Sequence, residues 1–437
     1  MKFVREEWLK LRESRLFRNA GWMLAGEGMG FFLQIVYFVI LARLLGAAQF
    51  GIFVGAFSFT GIVAQYSSLG SGVVFIRYVS GDRAAFAAYW GNILAVTTSV
   101  GAVLVVALSF LAPHVLNPLS AALVPLAGIA NCLCAQLTIE TGRVFQAFEQ
   151  LHITAVLNLL TSLMRAVIVT VMLVTMHHAS AWQWAIASTS VSLIGAGIAV
   201  SNVTLRLGRP RFQAKLWRKH ALEGFGYAFA GSTTVFYNDI DKTMLSHYGM
   251  NLANGIYAMA YRVIDFATIP VSSMQAAAIS RLFQRGRTGL QSASELSMRL
   301  LKRAVPLTIA IALAIFLAAP LVPRIVGQEF AESTSALRWL CLIPVFRSVQ
   351  VLTGAALTGA GYQSHRTTAQ VIAAALNFGL NLWWIPAYGW QGAAWSSLLT
   401  DGAIGAMNSA LLRVLILKER GAMRSSQLDA VGFANRE

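Results

Sequence analysis

The sequence predicts an all-α polytopic membrane protein with twelve transmembrane helices in two six-helix lobes and both termini in the cytoplasm. Three observations predict it. Of 437 residues, 57% are hydrophobic and only 12% charged, about half the charged share of a soluble globular domain. Mean hydropathy is +0.62, and no polar block is large enough to fold alone, which excludes a soluble enzyme carrying a single anchor. Finally, the 34 basic residues outnumber 18 acidic ones, for a net charge of +16, and they fall mainly between apolar runs, as in cytoplasmic loops. The excess therefore points to membrane topology and not to nucleic acid.

An apolar run needs ~20 residues to cross the hydrocarbon as a helix, and twelve such runs follow in order. Residues 1–18 alternate basic side chains with Val4, Trp8, Leu11 and Phe17, the pattern of a short amphipathic helix on the anionic inner leaflet. No small-residue cleavage site follows a short apolar core, so these residues are not a signal peptide. The N-lobe, 19–205, holds spans 19–42, 50–69, 91–111, 121–142, 152–176 and 182–205. Gly26 with Gly30, and Gly51 with Gly55, are four apart and line one helix face, where another helix approaches closely. Cys132, Cys134 and Cys341 all lie in apolar stretches; an odd number excludes full internal pairing, and packing is their expected role. His177 and His178 fall in a short outer loop without a carboxylate partner. Residues 206–222, basic and containing Pro210, read as a cytoplasmic linker. The C-lobe, 223–417, holds spans 223–248, 252–280, 304–323, 334–358, 367–387 and 391–417, and a cytoplasmic tail, 418–437, closes the chain.

Placing the amino terminus inside makes alternate connections cytoplasmic. The inner segments then hold 26 Lys and Arg, against Arg43 and Arg324 outside. One miscounted helix would invert every later loop and erase this bias. Because each half has an even number of crossings, a duplicated half would keep its orientation, with repeats related by an axis along the membrane normal. A trace of duplication is visible. Leu45-Gly46, then Phe50-Gly51-Ile52-Phe53, recurs as Tyr248-Gly249, then Asn254-Gly255-Ile256-Tyr257.

No phosphate-cradling Gly-Lys-Ser/Thr loop, zinc-binding His pair with an intervening Glu or Gly-x-Ser-x-Gly elbow is present, so neither an enzyme nor a cofactor is expected. The informative residues are ionisable groups inside spans, each costing roughly 2.5 to 3.5 kcal/mol at the bilayer centre unless it faces protein or water. They are Glu27, Arg165, Asp239, Asp241, Lys242, Arg262, Asp265, Arg347 and Asp401. Asp239 with Lys242, and Arg262 with Asp265, are three apart on a helix and can neutralise each other. Arg165 and Arg347 have no local acid, and two guanidinium forks suit a diphosphate; the alternative pairs Arg165 with Glu27 and Arg347 with Asp401 across helices. Glu27, Asp241 and Asp401 are candidates for proton or sodium coupling. Gln34, Asn158, Tyr237, Asn238, Tyr261, Asn377 and Asn381 add polar and aromatic surface suited to sugars, with interhelical hydrogen bonding as the alternative for the asparagines.

The stretch Asn19-Ala20-Gly21-Trp22 leading to Leu41-Ala42-Arg43-Leu44-Leu45-Gly46 and Phe50-Gly51 resembles the opening of bacterial polysaccharide-repeat flippases. So do Asn238-Asp239-Ile240-Asp241-Lys242 running on to Gly255-Ile256-Tyr257-Ala258-Met259-Ala260-Tyr261-Arg262, and Asn377-Phe378-Gly379-Leu380-Asn381 followed by Ile385 to Ala394. The resemblance is to the Wzx-type branch of the multidrug, oligosaccharidyl-lipid and polysaccharide exporter superfamily. It implies a MATE-like fold of two lobes facing a central cavity, in the bacterial inner membrane. It also implies alternating-access transfer of an undecaprenyl-diphosphate-linked oligosaccharide from the inner to the outer leaflet, for exopolysaccharide, capsule or O-antigen synthesis. Arg165, Lys242, Arg262 and Arg347 would receive the diphosphate, and Asn377, Asn381 and Tyr261 the sugar. Besides membrane lipids, the implied partners are a polysaccharide polymerase and co-polymerase. Lipid-II flippases of the superfamily usually have fourteen spans, so twelve argues against that branch. Two other readings stay open: a MATE-type multidrug or cation antiporter, and a non-transporting scaffold for glycan enzymes.

Overall fold

The computed structural model describes residues 15–434, and side chains at residue 30 and at residues 32–421 except residue 280. Residues 1–14 of the expected amphipathic segment, and the side chain of Glu27, lie outside the described residues. Every long element is helical: α1 (Arg15–Ala64), α2 (Ser71–Val79), α3 (Phe86–Val115), α4 (Pro118–Gly128), α5 (Gln136–Ala147), α6 (Leu151–Met176), α7 (Ala181–Leu207), α8 (Ala214–His247), α9 (Asn251–Gly286), α10 (Leu290–Ala318), α11 (Leu321–Val326), α12 (Ser333–Leu340), α13 (Ile343–Gly359), α14 (Gln363–Tyr388) and α15 (Trp390–Ala434). A π-helical stretch, Ile129–Ala135, joins α4 to α5.

Nine segments of the described residues are long and apolar enough to cross a membrane, which makes the chain a multi-pass membrane protein. Twelve runs stand out in the sequence, and three differences account for the gap. The first two runs lie in one continuous segment, α1, whose two helical halves are separated by the non-helical backbone of Gly46 (φ 68°, ψ 171°), a conformation that glycine adopts without the steric cost of a Cβ. The seventh and eighth correspond to α8 and α9. These are 34 and 36 residues long, but hydroxyls, amides and the charges from Asp239 to Asp265 lower their hydropathy below that of the nine.

The chain divides into two compact units. The first runs to Val235 and takes in Leu245–Gly255 and Ile325–Gly327; the second comprises Phe236–Met244, Ile256–Arg324 and the chain from Gln328 onward. In the first, Val74, Phe75, Trp90, Ile93, Phe145 and Val203 form a buried cluster uniting α2, α3, α5 and α7. Trp90 Nε1 donates to Thr204 Oγ1 at 3.3 Å, the partner a buried indole needs. Helix starts are capped locally. Asn117 caps α4 ahead of Pro118, and Ser180 with Gln183 forms a capping box on α7, satisfying N–H groups without intrahelical partners.

Within the first unit the repeated segments face each other reciprocally. A Cβ on Gly51 would lie 1.8 Å from the Asn251 carbonyl oxygen and 2.7 Å from the Gly255 nitrogen, and one on Gly255 would lie 1.9 Å from the Ala47 carbonyl oxygen. Asn254 Nδ2 donates to the Gly51 carbonyl at 3.0 Å. Gly46 and Gly249 both have positive φ, 68° and 70°. The repeat thus marks two glycine breaks between helical segments.

The expected linker is partly helical, because α8 begins at Ala214. Its extended part is strapped to α3: Arg211 N donates to the Ala87 carbonyl at 2.7 Å, and Asn92 exchanges hydrogen bonds of 2.9 and 3.2 Å with the Gln213 backbone. The start of α8 is held to α2 by Arg77 and Glu223, 2.6 Å apart, and Glu223 raises the Arg77 pKa above its ordinary value by hydrogen bond and charge. His220 packs beside them with its ring 4.4 Å from that of Tyr78. The Arg77 side chain is 61% exposed, where solvent screens an ion pair, so Arg77→Ala is expected to leave the melting temperature of the purified protein nearly unchanged, checked by thermal unfolding.

In the second unit, Leu290, Ala293, Ala356, Leu357 and Leu412 form one buried cluster and Tyr237, Ala373, Ala374 and Ile404 another. Small residues bring the helices together. A Cβ on Gly286 at the end of α9 would lie 2.0 Å from the Gly359 carbonyl oxygen at the end of α13.

Candidate functional site

In the second unit, α8 carries Tyr237, Asn238, Asp239, Asp241 and Lys242, which are paired partly within α8 and partly with neighbouring helices. Asp241 is fully buried. Its Oδ1 accepts from the Lys242 backbone N–H at 2.7 Å, and its Oδ2 accepts from the Tyr257 hydroxyl on α9 and from Ser397 Oγ on α15 at 3.2 Å. Lys242 Nζ lies 2.7 Å from Asp239 Oδ1 and 3.9 Å from Asp241 Oδ1, donates to the Asn238 carbonyl and stands 4.5 Å from the Tyr261 ring centroid. The i,i+3 pairing of Asp239 and Lys242 was legible from spacing, and so was Arg262 with Asp265, which is looser at 4.0 Å.

Arg347 on α13 is the hub. Nη1 donates to Asp265 Oδ1 at 3.1 Å, and Nη2 donates to Asn238 Oδ1 at 3.0 Å and to the Tyr261 hydroxyl at 2.8 Å. Nε faces Asp401 Oδ2 at 3.5 Å, and the guanidinium lies 5.3 Å from the Tyr261 ring centroid. The side chain is 16% exposed. All three nitrogens are therefore engaged within the protein, and the pairing of Arg347 with Asp401 foreseen as the alternative to an anion clamp is present.

A ladder of neutral polar groups runs beside this hub. Asn377 donates to Thr400 Oγ1 at 3.1 Å, Asn381 donates to Asn377 Oδ1 at 2.9 Å, and Ser396 donates to Asn381 Oδ1. Both asparagines are fully buried and join α14 to α15, the interhelical role open to membrane asparagines. Gln350 Nε2 donates to the Tyr237 hydroxyl at 2.9 Å.

The unit thus gathers four carboxylates, Asp239, Asp241, Asp265 and Asp401, around three cations, Lys242, Arg262 and Arg347. With every group ionised the cluster is negative by one charge. Arg262 is its most exposed cation, with a side chain 42% exposed, against 10% for Lys242 and 16% for Arg347. Asp401 is almost fully buried and its Oδ2 has no hydrogen bond of good geometry.

In the first unit Arg165 stands on α6, half-buried. Nη2 donates to Ser192 Oγ on α7 at 3.2 Å, while the buried Nε has no partner. Its alternative partner Glu27 is outside the described side chains, and Asn158 on the same helix is exposed.

Two groups were not singled out from the sequence. Tyr257 and Asp241 lie eight residues after and eight before Gly249, so a hairpin centred there sets them opposite each other; that counting would have found the pair. Glu140 is fully buried and paired with Arg143 at 2.7 Å, and only their i,i+3 spacing announced it. Among the described residues, no group of three or more His, Cys, Asp or Glu is placed to hold a metal ion.

These features define a polytopic helical membrane fold. A solved inward-facing multidrug resistance MATE family transporter of the MOP superfamily aligns with TM-score 0.73 and 14% identity over 89% of this chain and 95% of that one. The lipid II flippase MurJ in an inward closed conformation aligns with TM-score 0.72 and 14% identity over 89% and 87%. A MOP superfamily transporter from Pyrococcus furiosus aligns with TM-score 0.62 and 13% identity over 90% and 93%. At these identities the likeness is one of fold. No curated protein matches the sequence significantly. The model of the polysaccharide biosynthesis protein family matches residues 16–284, and the chain belongs to that family.

Proposed function

We propose that the protein is a flippase that moves an undecaprenyl-diphosphate-linked oligosaccharide from the inner to the outer leaflet of the bacterial inner membrane, for exopolysaccharide, capsule or O-antigen synthesis. Family membership and the MATE-like fold support the class. The chemistry is consistent with it. The prenyl tail can stay in lipid while the charged head passes a polar path, so no covalent step is needed. In this reading twelve crossings comprise the nine apolar segments, the bend at Gly46 that divides the first, and α8 and α9, arranged as two lobes, 19–205 and 223–417, with both termini inside.

The single observation that carries the reading is Arg165, a mid-span guanidinium with one hydrogen bond and an unpartnered buried Nε. A buried cation with donors to spare suits an incoming phosphate. Arg262 is assigned the complementary contact in the other half. Arg347, with its donors committed, is assigned to holding Tyr261 and Asn238, and Asp241 and Asp401 to binding the coupling cation. Arg165→Ala is expected to slow translocation of a fluorescent lipid-linked oligosaccharide in proteoliposomes by about 10- to 100-fold, the effect of losing one charged hydrogen-bonding partner. Arg165→Lys should restore part of it. Unchanged translocation by a stably folded Arg165→Ala protein would refute the assignment.

The excess of carboxylates in the second unit favours one other reading, a MATE-type antiporter of organic cations. Uptake of a labelled cation driven by an imposed proton or sodium gradient, without translocation of the lipid-linked sugar, would establish that reading instead.

A further inference from the structure

Helices α14 and α15 run antiparallel within the second unit, in a register shown by the hydrogen bonds from Tyr362 to Glu419 and from Ser396 to Asn381. Between them, toward the end of α15 that leads into the tail, lies a groove of about 510 Å³, a volume typical of sites for organic ligands. It is separate from the polar cluster described above. Ile372 on the groove wall and Asn381 in the buried ladder are about two and a half helical turns apart, which sets them on opposite faces of α14.

The groove has the polarity of an amphiphile. Ile372, Met407, Leu411 and Val414 form its apolar walls, and Ile372 and Val414 are 54% and 50% exposed on their membrane-crossing helices. The hollow exists because Ala369 and Ala410 stand where larger side chains would fill it. Ser364, His365 and Thr368, in the first two turns of α14, line one end only. Lys418 is exposed at that same end, four residues beyond Val414 and therefore on the same face of α15. Among the described residues that line the groove none is acidic, and the nearby Glu419 is engaged by the Tyr362 hydroxyl and the Leu290 N–H. From Ser364 to Ile372 the helix rises about 12 Å, close to the ~15 Å of hydrocarbon that belongs to one leaflet.

We infer that the α14–α15 groove binds an anionic phospholipid, with one acyl chain along the Ala369–Ala410 hollow and the phosphate between Lys418 and the Ser364–His365 corner. The length of the groove, its polarity at one end only and its basic mouth match that occupant. Apolar area removed from water holds the chain, and the lysine selects the charge of the headgroup. The bound lipid joins α14 to the end of α15, so the stability of the protein follows the anionic content of its membrane. The site does not depend on which substrate the protein carries.

Native mass spectrometry of the full-length protein, titrated in detergent with phosphatidylglycerol and phosphatidylcholine of the same chains, tests this. The unaltered protein retains one phosphatidylglycerol in preference to phosphatidylcholine. Ala410→Trp, at an exposed position, fills the hollow and weakens retention of both lipids by more than about tenfold, the equivalent of two methylenes left unburied. Leu313→Trp, on an exposed face of α10, is the control and leaves retention unchanged. Lys418→Gln keeps the chain but lowers the preference for phosphatidylglycerol about fivefold, the contribution of one basic residue at an anionic surface. Equal retention in Ala410→Trp and Leu313→Trp, or an undiminished preference in Lys418→Gln, overturns the proposal. So does retention of a prenyl diphosphate with neither phospholipid, which would assign the groove to the transported lipid.

Discussion

Valine at either Gly51 or Gly255 is expected to abolish export and to destabilise the purified protein by about 3 kcal/mol or more, at or beyond the upper end of ordinary overpacking. The first added carbon already decides the matter. At Gly51 it would lie 1.8 Å from the Asn251 carbonyl oxygen, and at Gly255 it would lie 1.9 Å from the Ala47 carbonyl oxygen. Both obstacles are backbone, which cannot rotate away as a side chain can. Relief requires the helices to separate, and separation breaks the hydrogen bond from Asn254 to the Gly51 carbonyl. Even alanine should therefore be damaging at these two positions. Gly379, in the middle of α14 with nothing within 4 Å of its added Cβ, is the control. There alanine should be neutral or stabilising by up to about 1 kcal/mol through helix propensity. Thermal unfolding in detergent compares the three sites directly, and equal tolerance of alanine at Gly51 and Gly379 would contradict the close approach.

The same pair shows how far sequence reading reaches. Apolar length located the helices, because crossing a bilayer imposes a length that survives any detail of packing. The repeat located Gly51 and Gly255 through similarity alone. That the two glycines touch each other was not legible, since four-residue spacing says a face is small without saying what fills it. Local pairs were equally accessible: Asp239 with Lys242 and Asn377 with Asn381 follow from helical periodicity. Long-range partners were not. Arg347 meets Asp265, Tyr261 and Asn238, which are 82, 86 and 109 residues away, and periodicity carries no information across such separations. Helix α1 was legible in the same way as the other spans: the break between its two apolar runs falls at Gly46, whose backbone is non-helical (φ 68°, ψ 171°), a conformation glycine adopts without the steric cost of a Cβ.

Arg347→Gln is expected to lower stability by about 3 to 5 kcal/mol, the cost of leaving a buried acid unpaired, and to stop transport. Asp401 governs that figure. It is nearly fully buried, whereas the Asp265 side chain is 40% exposed and regains water when its partner leaves. Tyr261 and Asn238 also lose their donor, so the hub fails as a unit. Lysine should not rescue it: one ammonium cannot occupy the three directions in which Nε, Nη1 and Nη2 reach Asp401, Asp265 and the Asn238–Tyr261 pair. Removing the orphaned charge should help. In the Arg347→Gln background, Asp401→Asn is expected to recover a substantial part of the lost stability while destabilising the otherwise unaltered protein, a coupling that a double-mutant cycle reads directly. Transport should stay absent in the double variant if Arg347 works by orienting Tyr261 and Asn238, because stability returns without the fork that holds them. Strict additivity of the two substitutions would mean that Arg347 and Asp401 do not interact, and the hub would then have to be redrawn around Asp265 alone.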